Sequence, residues 1–314
     1  MSMFNLIAIG DPLIDTHVQI DEQCDSCQIL ATHRDQICFN YGDKIPIIDS
    51  FQSLGGNAPN VAAGAVKLGL SSTLLTTIGG DAYGKLIVQE LKKHAVDTSL
   101  VSKDKNHKSR YSIVLNYKKE RTILSYSEEK NYRWPTKTPG SDWIYYTGLS
   151  KGFEKVQEKL LKHLKQHPTT RLAINPGSYI LKYATAKLRE VLPCTDVLIV
   201  NLEEAEKMIG TTLEAEKNIS ALLRKLLDTG VKEVVLTDGP RGAWAGTRET
   251  LWSMAAYPVE VLSKTGAGDA FSSGYLAARF YSHTIPEALQ WATANSTSVI
   301  QAHGPHEGLL TRDE

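Results

Sequence analysis

Between residues 142 and 237 the chain alternates with a regularity that few folds can accommodate. Apolar runs of strand length at 143–147, 171–175, 197–200 and 233–237 are separated by stretches of helical periodicity at 153–167, 179–191, 203–209 and 214–229. Repeated βα units bury their apolar faces by forming a parallel sheet covered by helices on both sides. The run Leu6-Ile7-Ala8-Ile9-Gly10 has the form of a first strand in such a sheet, short, apolar and ended by a turn. A further strand is expected at 73–78, followed by Gly79-Gly80-Asp81 and a helix over 85–94. The glycine spacing at that junction does not fit a dinucleotide fingerprint. A chain of 314 residues can hold all of this in one α/β domain, residues 1–314.

Two stretches leave the pattern. No helical periodicity occurs over 16–50, which holds short alternating runs instead, and 112–117 with 121–126 predict a hairpin across Lys118-Lys119-Glu120. Together they predict a small β layer beside the main sheet. The four cysteines form no disulfide framework. Cys24, Cys27, His33 and Cys38 are metal-capable, but the gap from Cys27 to His33 is one residue too long for a zinc knuckle. An incidental pair in a loop is the better reading. Thirty-five basic residues balance 35 acidic ones, which argues against a nucleic-acid or polyanion binder. The first residues lack the pattern of a signal peptide and no apolar run is long enough to span a membrane, so a soluble cytoplasmic protein is expected.

The chemistry concentrates at Lys264-Thr265-Gly266-Ala267-Gly268-Asp269, which follows a short β-like run and opens a helix. Backbone N–H groups in a first helical turn have no partner within the helix, and with the helix dipole they attract an anion. Glycines let the backbone approach a phosphate closely, and Asp269 is placed to meet a hydroxyl beside it. That combination suits phosphoryl transfer to an alcohol. A plain strand-to-helix turn, with Asp269 near the N-cap, explains the segment alone equally well.

Other strand ends carry further candidates. Asp11 and Asp15 follow the first strand, where one or both carboxylates face a site or merely form a turn. Gly55-Gly56-Asn57-Ala58-Pro59-Asn60 opens a helix of small residues that stops at Gly69. Asn57 and Asn60 lie one turn apart, suited either to ligand hydroxyls or to capping. Asn201 and Glu204 share the same spacing at another strand end. They suit magnesium held through water, or simple pairing with the helix dipole. Thr237-Asp238-Gly239-Pro240-Arg241-Gly242 closes a strand with glycines that could pass under a nucleotide or make an ordinary turn into a hairpin.

In this order the four segments resemble the ribokinase-like (phosphofructokinase B) family of carbohydrate and nucleoside kinases. Gly55–Asn60 is similar to the first family signature and Asn201-x-x-Glu204 to the magnesium-associated motif. Thr237-x-Gly239-x-x-Gly242 resembles the nucleotide loop, and 265–269 the second signature. The resemblance implies a doubly wound, largely parallel α/β sheet with a small β-sheet lid from about 16–50 and 108–126. It implies ATP and Mg²⁺, with Asp269 as base and Gly266, Ala267 and Gly268 as the anion hole. Asp15, Gly56, Asn57 and Asn60 would bind the acceptor. Thr237, Gly239, Gly242 and Asn295 would bind the nucleotide, and Asn201 and Glu204 would hold magnesium through water. The acceptor expected first is a hydroxymethyl group on a small sugar or sugar acid. A nucleoside, by the same mechanism, is the alternative, and a non-catalytic sugar- or nucleotide-binding regulator the third reading. A homodimer through the lid is a further implication. Two departures qualify this picture. Ser263-Lys264 replaces the usual Asp-Thr, so potassium should activate weakly or not at all, with Lys264 supplying a nearby positive charge. Asn175-Pro176-Gly177 stands where many sugar kinases have Asp-x-Asn, which keeps nucleosides open.

Overall fold

The computed structural model describes residues 3–31, 35–118, 120–216 and 218–314. Among these the main sheet has nine strands. Their order is Leu251–Met254, Ala243–Gly246, Glu233–Thr237, Val197–Asn201, Arg171–Ile174, Ser141–Tyr146, Phe4–Ile9, Ser72–Gly79, Val101–Asp104. The seven from Glu233–Thr237 onward run parallel, and the first two form an antiparallel hairpin on the edge. Burial on both faces explains why the parallel strands are almost continuously apolar. Successive side chains go to opposite layers: Leu6 and Ala8 meet one set of helices, Ile7 and Ile9 the other.

Phe4–Ile9 sits between Ser72–Gly79 and Ser141–Tyr146. The chain builds outward on one side of it, then crosses back to build on the other. That is a topological switch point, where a crevice opens at the carboxyl ends of the strands. Asp11 and Thr147 leave the two central strands there, with Asp11 N–H donating to Gly148 O at 2.9 Å and Thr147 N–H to Ile9 O at 2.9 Å.

On one face the helices Asn57–Lys67, Ala267–Phe280 and Ile285–Ile300 pack closely. A Cβ on Gly64 would come within 2.7 Å of Ser273 Cβ, and one on Gly274 within 2.9 Å of Ala292 Cα. The small residues in these helices are what allow that approach.

The small β layer is a separate sheet with the order Ile47–Gly55, Leu13–Ile20, Arg110–Tyr117, Glu120–Tyr126. Its first segment begins earlier and ends later than the expected 16–50, because Leu13–Ile20 runs straight out of Asp11-Pro12 and its neighbour Ile47–Gly55 runs straight into Gly56. Tyr83, Tyr111 and Tyr126 stack in series, with centroids 5.2 and 5.0 Å apart, and fasten the sheet to helix Ala82–Lys93. A two-stranded ribbon, Cys27–Leu30 with Gln36–Phe39, extends from it. Cys27 is buried against Ile20 and Tyr117, while His33 lies outside the described residues.

Several boundaries differ from the expected ones. The helix expected over 179–191 breaks at Ala184, whose φ of −142° and ψ of 34° are not helical, giving Ser178–Tyr183 and Thr185–Val191. The one expected over 214–229 becomes Leu213–Glu216 and Ile219–Leu227, with residue 217 outside the described residues. Among the described residues, no helix is long and apolar enough to cross a membrane.

Candidate active site

At the switch point Asp11 is 2 % exposed and fully engaged. Its Oδ2 accepts from Tyr132 OH at 2.7 Å, Ser150 Oγ at 2.7 Å and Ser150 N–H at 3.0 Å. Lys130 Nζ lies 3.4 Å from Oδ1 and an Arg110 guanidinium nitrogen 3.6 Å from Oδ2. This buried hub ties the root of the small sheet to the main sheet and leaves no room for a substrate. Of the two early aspartates, Asp15 is the less buried. It stands on the small sheet, on the same face as Ser53 and Ser112. Burial raises its pKa, opposed by a hydrogen bond from Ser112 and by the charges of Arg110 and Arg121.

Asp269 lies in the first turn of Ala267–Phe280, and that helix begins without a side-chain cap. The N-cap Gly266 is left-handed, with φ of +80°, and Pro305 sits so close that a Cβ there would meet its Cα at 2.6 Å. A Cβ on Gly268 would meet nothing within 4 Å. The turn is therefore locked behind and open in front, with N–H groups free to meet an anion. Asn60, 6 % exposed, donates from Nδ2 to Asp269 Oδ2 at 2.8 Å, and the Asn57 side chain also bonds to the carboxylate. Burial pushes the Asp269 pKa up to about 6. The two asparagines oppose that shift and the charge of Glu204 adds to it.

Asp269, Ala267, Gly268 and Asn57 line a cavity of about 740 Å³ that also takes in Asn201, Glu204, Thr237, Gly239 and Gly242. Four segments far apart in sequence thus meet around one space. Asn201 and Glu204 form a capping box: Glu204 N–H donates to Asn201 Oδ1 at 2.8 Å, and Asn201 N–H to Glu204 Oε2 at 3.0 Å. The capping and ligand readings of this pair are compatible, since both residues also face the cavity. Burial raises the Glu204 pKa, against hydrogen bonds from the Asn201 backbone and the Asn175 side chain. The remaining wall is largely apolar, with Ile199, Tyr257, Val259 and Ile300 among its residues, a surface suited to a nucleobase.

Asn60 and Asn295, both expected at the site, lie off the cavity wall. The Asn60 amide points across the seam between two helices to Asp269, while its Oδ1 has no hydrogen-bond partner among the described residues. Asn295 does not reach the cavity. It is 1 % exposed, donates to Ala270 O at 2.8 Å and Ser273 Oγ at 3.2 Å, and accepts from Leu310 N–H at 3.0 Å. Its neighbours Thr293, Ser296 and Thr297 line the cavity, since they fall on the other side of the helix.

Sequence reasoning gave no role to Tyr145 and saw in Asn175 only a departure. Tyr145 is a fully buried part of the floor, its phenol pKa raised by burial first and then by Asp269. Asn175 donates to Ile199 O at 3.0 Å and Glu204 Oε2 at 3.3 Å, and accepts from Thr147 Oγ1 at 3.3 Å. It orients Glu204 across strand ends. Its place at the end of a strand, just before Pro176-Gly177, was the available signal.

A nucleotide-sized cavity at the carboxyl ends of the strands, with an uncapped helix turn and a carboxylate in its wall, is what an enzyme that moves a phosphoryl group onto an alcohol requires. Residues 26–312 match the family model for the pfkB family of carbohydrate kinases, and the chain belongs to that family. It is an ATP-dependent carbohydrate kinase. Similar proteins include the 5-dehydro-2-deoxygluconokinase of Clostridium tetani, 25 % identical over 283 residues, covering 83 % of this chain and 82 % of that one. The ribokinase of Staphylococcus aureus is 24 % identical over 271 residues, covering 83 % and 86 %. Among solved structures, Arabidopsis thaliana ribokinase complexed with ribose and ATP has a TM-score of 0.80 at 20 % identity. The match covers 99 % of this chain and 97 % of that one, a likeness of fold.

Proposed function

We propose that the protein transfers the γ-phosphoryl group of ATP to a hydroxymethyl group of a small sugar or sugar acid. The observation that carries this is the pairing of Asp269, held by Asn57 and Asn60 with its pKa near 6, with the open turn Gly266–Gly268 in one cavity wall. Asp269 takes the proton of the acceptor hydroxyl as the oxygen bonds to the γ-phosphorus. The bond from that phosphorus to the bridging oxygen breaks, and ADP leaves with the electron pair. N–H groups of the turn stabilise the charge on the moving phosphoryl group without having to reorganise. Thr237, Gly239 and Gly242 pass under the nucleotide, whose base lies along the apolar wall.

The half-buried Glu204 carboxylate, held by Asn175 and facing the cavity beside Asn201, fits a hydrated divalent cation. Magnesium bound there through water would neutralise phosphate charge. Asp15 and Gly56 belong to the acceptor side, where the small sheet serves as a lid that keeps water from competing for the phosphoryl group. The relatives named 5-dehydro-2-deoxygluconokinase and ribokinase support a small acceptor over a nucleoside. A homodimer through the small sheet and a cytoplasmic setting complete the proposal.

The test is a panel with ATP and magnesium: fructose, ribose, sugar acids, fructose phosphates, adenosine, inosine and cytidine, with products identified by ³¹P NMR. Phosphorylation of a sugar or sugar acid on a primary hydroxyl is expected. Turnover confined to nucleosides would contradict the choice of acceptor.

A further inference from the structure

Three charged side chains line the cavity among the described residues, and two of them are the carboxylates Glu204 and Asp269. The third is Lys264. A nucleotide triphosphate brings several negative charges into this space, so the one cation in its wall governs whether the polyphosphate is tolerated there.

Lys264 is exposed and makes no hydrogen bond or ion pair with any described residue. Its backbone, in contrast, is fixed on both sides. Leu262 and Ser263 N–H groups donate to Ile300 O at 2.8 and 3.2 Å, Thr265 N–H donates to Ser263 Oγ at 3.2 Å, and Gly266 lies against Pro305. Unpaired lysines are common on this surface, Lys85, Lys155 and Lys162 among them. Lys264 differs in its place: a pinned Cα two residues before the anion-binding turn, with its side chain in the cavity wall.

We propose that Lys264 is the polyphosphate-binding cation of this site, pairing with the non-bridging phosphate oxygens of the donor nucleotide. It offsets the two carboxylates as the nucleotide enters and holds the diphosphate as it becomes the leaving group. This rests on the reading of the cavity as a nucleotide site. The role belongs to the donor, so the acceptor is unaffected.

The experiment is calorimetric titration of the intact protein with ATP, ADP and adenosine, for the wild type, Lys264→Met and Lys264→Arg. Methionine keeps most of the stem and removes the charge. The expected result is about 10- to 100-fold weaker ATP and ADP binding in Lys264→Met with adenosine binding unchanged, the scale of a charge-assisted hydrogen bond. Lys264→Arg should recover most of the loss, and the difference between wild type and Lys264→Met should shrink as salt is raised. Equal ATP affinity in wild type and Lys264→Met would overturn the role of Lys264 while leaving the nucleotide site standing. An equal loss of adenosine binding would overturn it too, by showing a defect of shape rather than charge. Failure of the wild type to bind either ATP or adenosine would overturn the nucleotide reading itself, and this role with it.

Discussion

In the proposed mechanism Asp269 is the base, and its pKa, pushed up to about 6 by burial, has a direct consequence. A base acts only when ionised, so activity should be lost as pH falls through about 6, along an acid limb of kcat/KM that a pH–rate profile will show. The stability effect has the opposite sense. Because folding raises this carboxyl above its ordinary value of 3.8, the ionised form opposes folding at pH above about 6, and the effect disappears below about 4. Replacing it with asparagine should therefore stabilise the fold at neutral pH, by on the order of 1 kcal/mol after allowing for its partial contact with solvent. Asn295 illustrates where sequence reading stops at this scale. One residue along a helix turns a side chain by about 100°, and nothing in the local sequence said which face would meet the cavity. Asn295→Ala should lower stability by about 1–3 kcal/mol through its unpaired buried partners, and leave KM for ATP close to wild type. A melting curve and a saturation curve check the two halves.

Among the elements, the helices Asn57–Lys67 and Ala267–Phe280 decide whether the Asp269 carboxylate is held. Asn60 reaches Asp269 only because Gly64 lets the two helices approach at Ser273. Gly64→Val should force them apart, cost about 1–3 kcal/mol of stability and lower kcat by an order of magnitude or more. Gly210→Ala is the control. It is left-handed at φ +72°, with nothing within 4 Å of the added methyl, so it should cost about 1 kcal/mol and leave kcat unchanged. The βα repeat over 143–237 was legible because period and length agree within each run. Val101–Asp104 was not, since Val-Ser-Lys-Asp carries no strand pattern and its pairing with Ser72–Gly79 supplies the reason it is extended. The break at Ala184 was equally hidden, because alanine favours helix and tertiary contacts overrule it.

For the whole molecule, the motifs made the site readable before the topology was. Gly55–Asn60, Asn201–Glu204, Thr237–Gly242 and 265–269 span more than 200 residues of sequence, and they converge because the chain crosses back past Phe4–Ile9 to build the other side of the sheet. Strand order is a long-range property that no local pattern records. The outer half of the small sheet raises a further expectation. Phe51 and Ile123 lie in one cross-strand row with His17 and Val114 and are 47 % and 53 % exposed, on the face that carries Asp15. A second copy of the sheet would cover them. Sedimentation at micromolar concentration should give a dimer, and Phe51→Glu with Ile123→Glu a folded monomer. A monomeric wild type would remove that part of the proposal.

The most direct measurement is the turnover of Asp269→Asn on whichever acceptor the wild type phosphorylates, with ATP binding followed in parallel. Loss of kcat by at least 10²- to 10⁴-fold, with ATP affinity retained, is the predicted result. Turnover within a few-fold of wild type would contradict the assignment of Asp269 as the base around which the site is built.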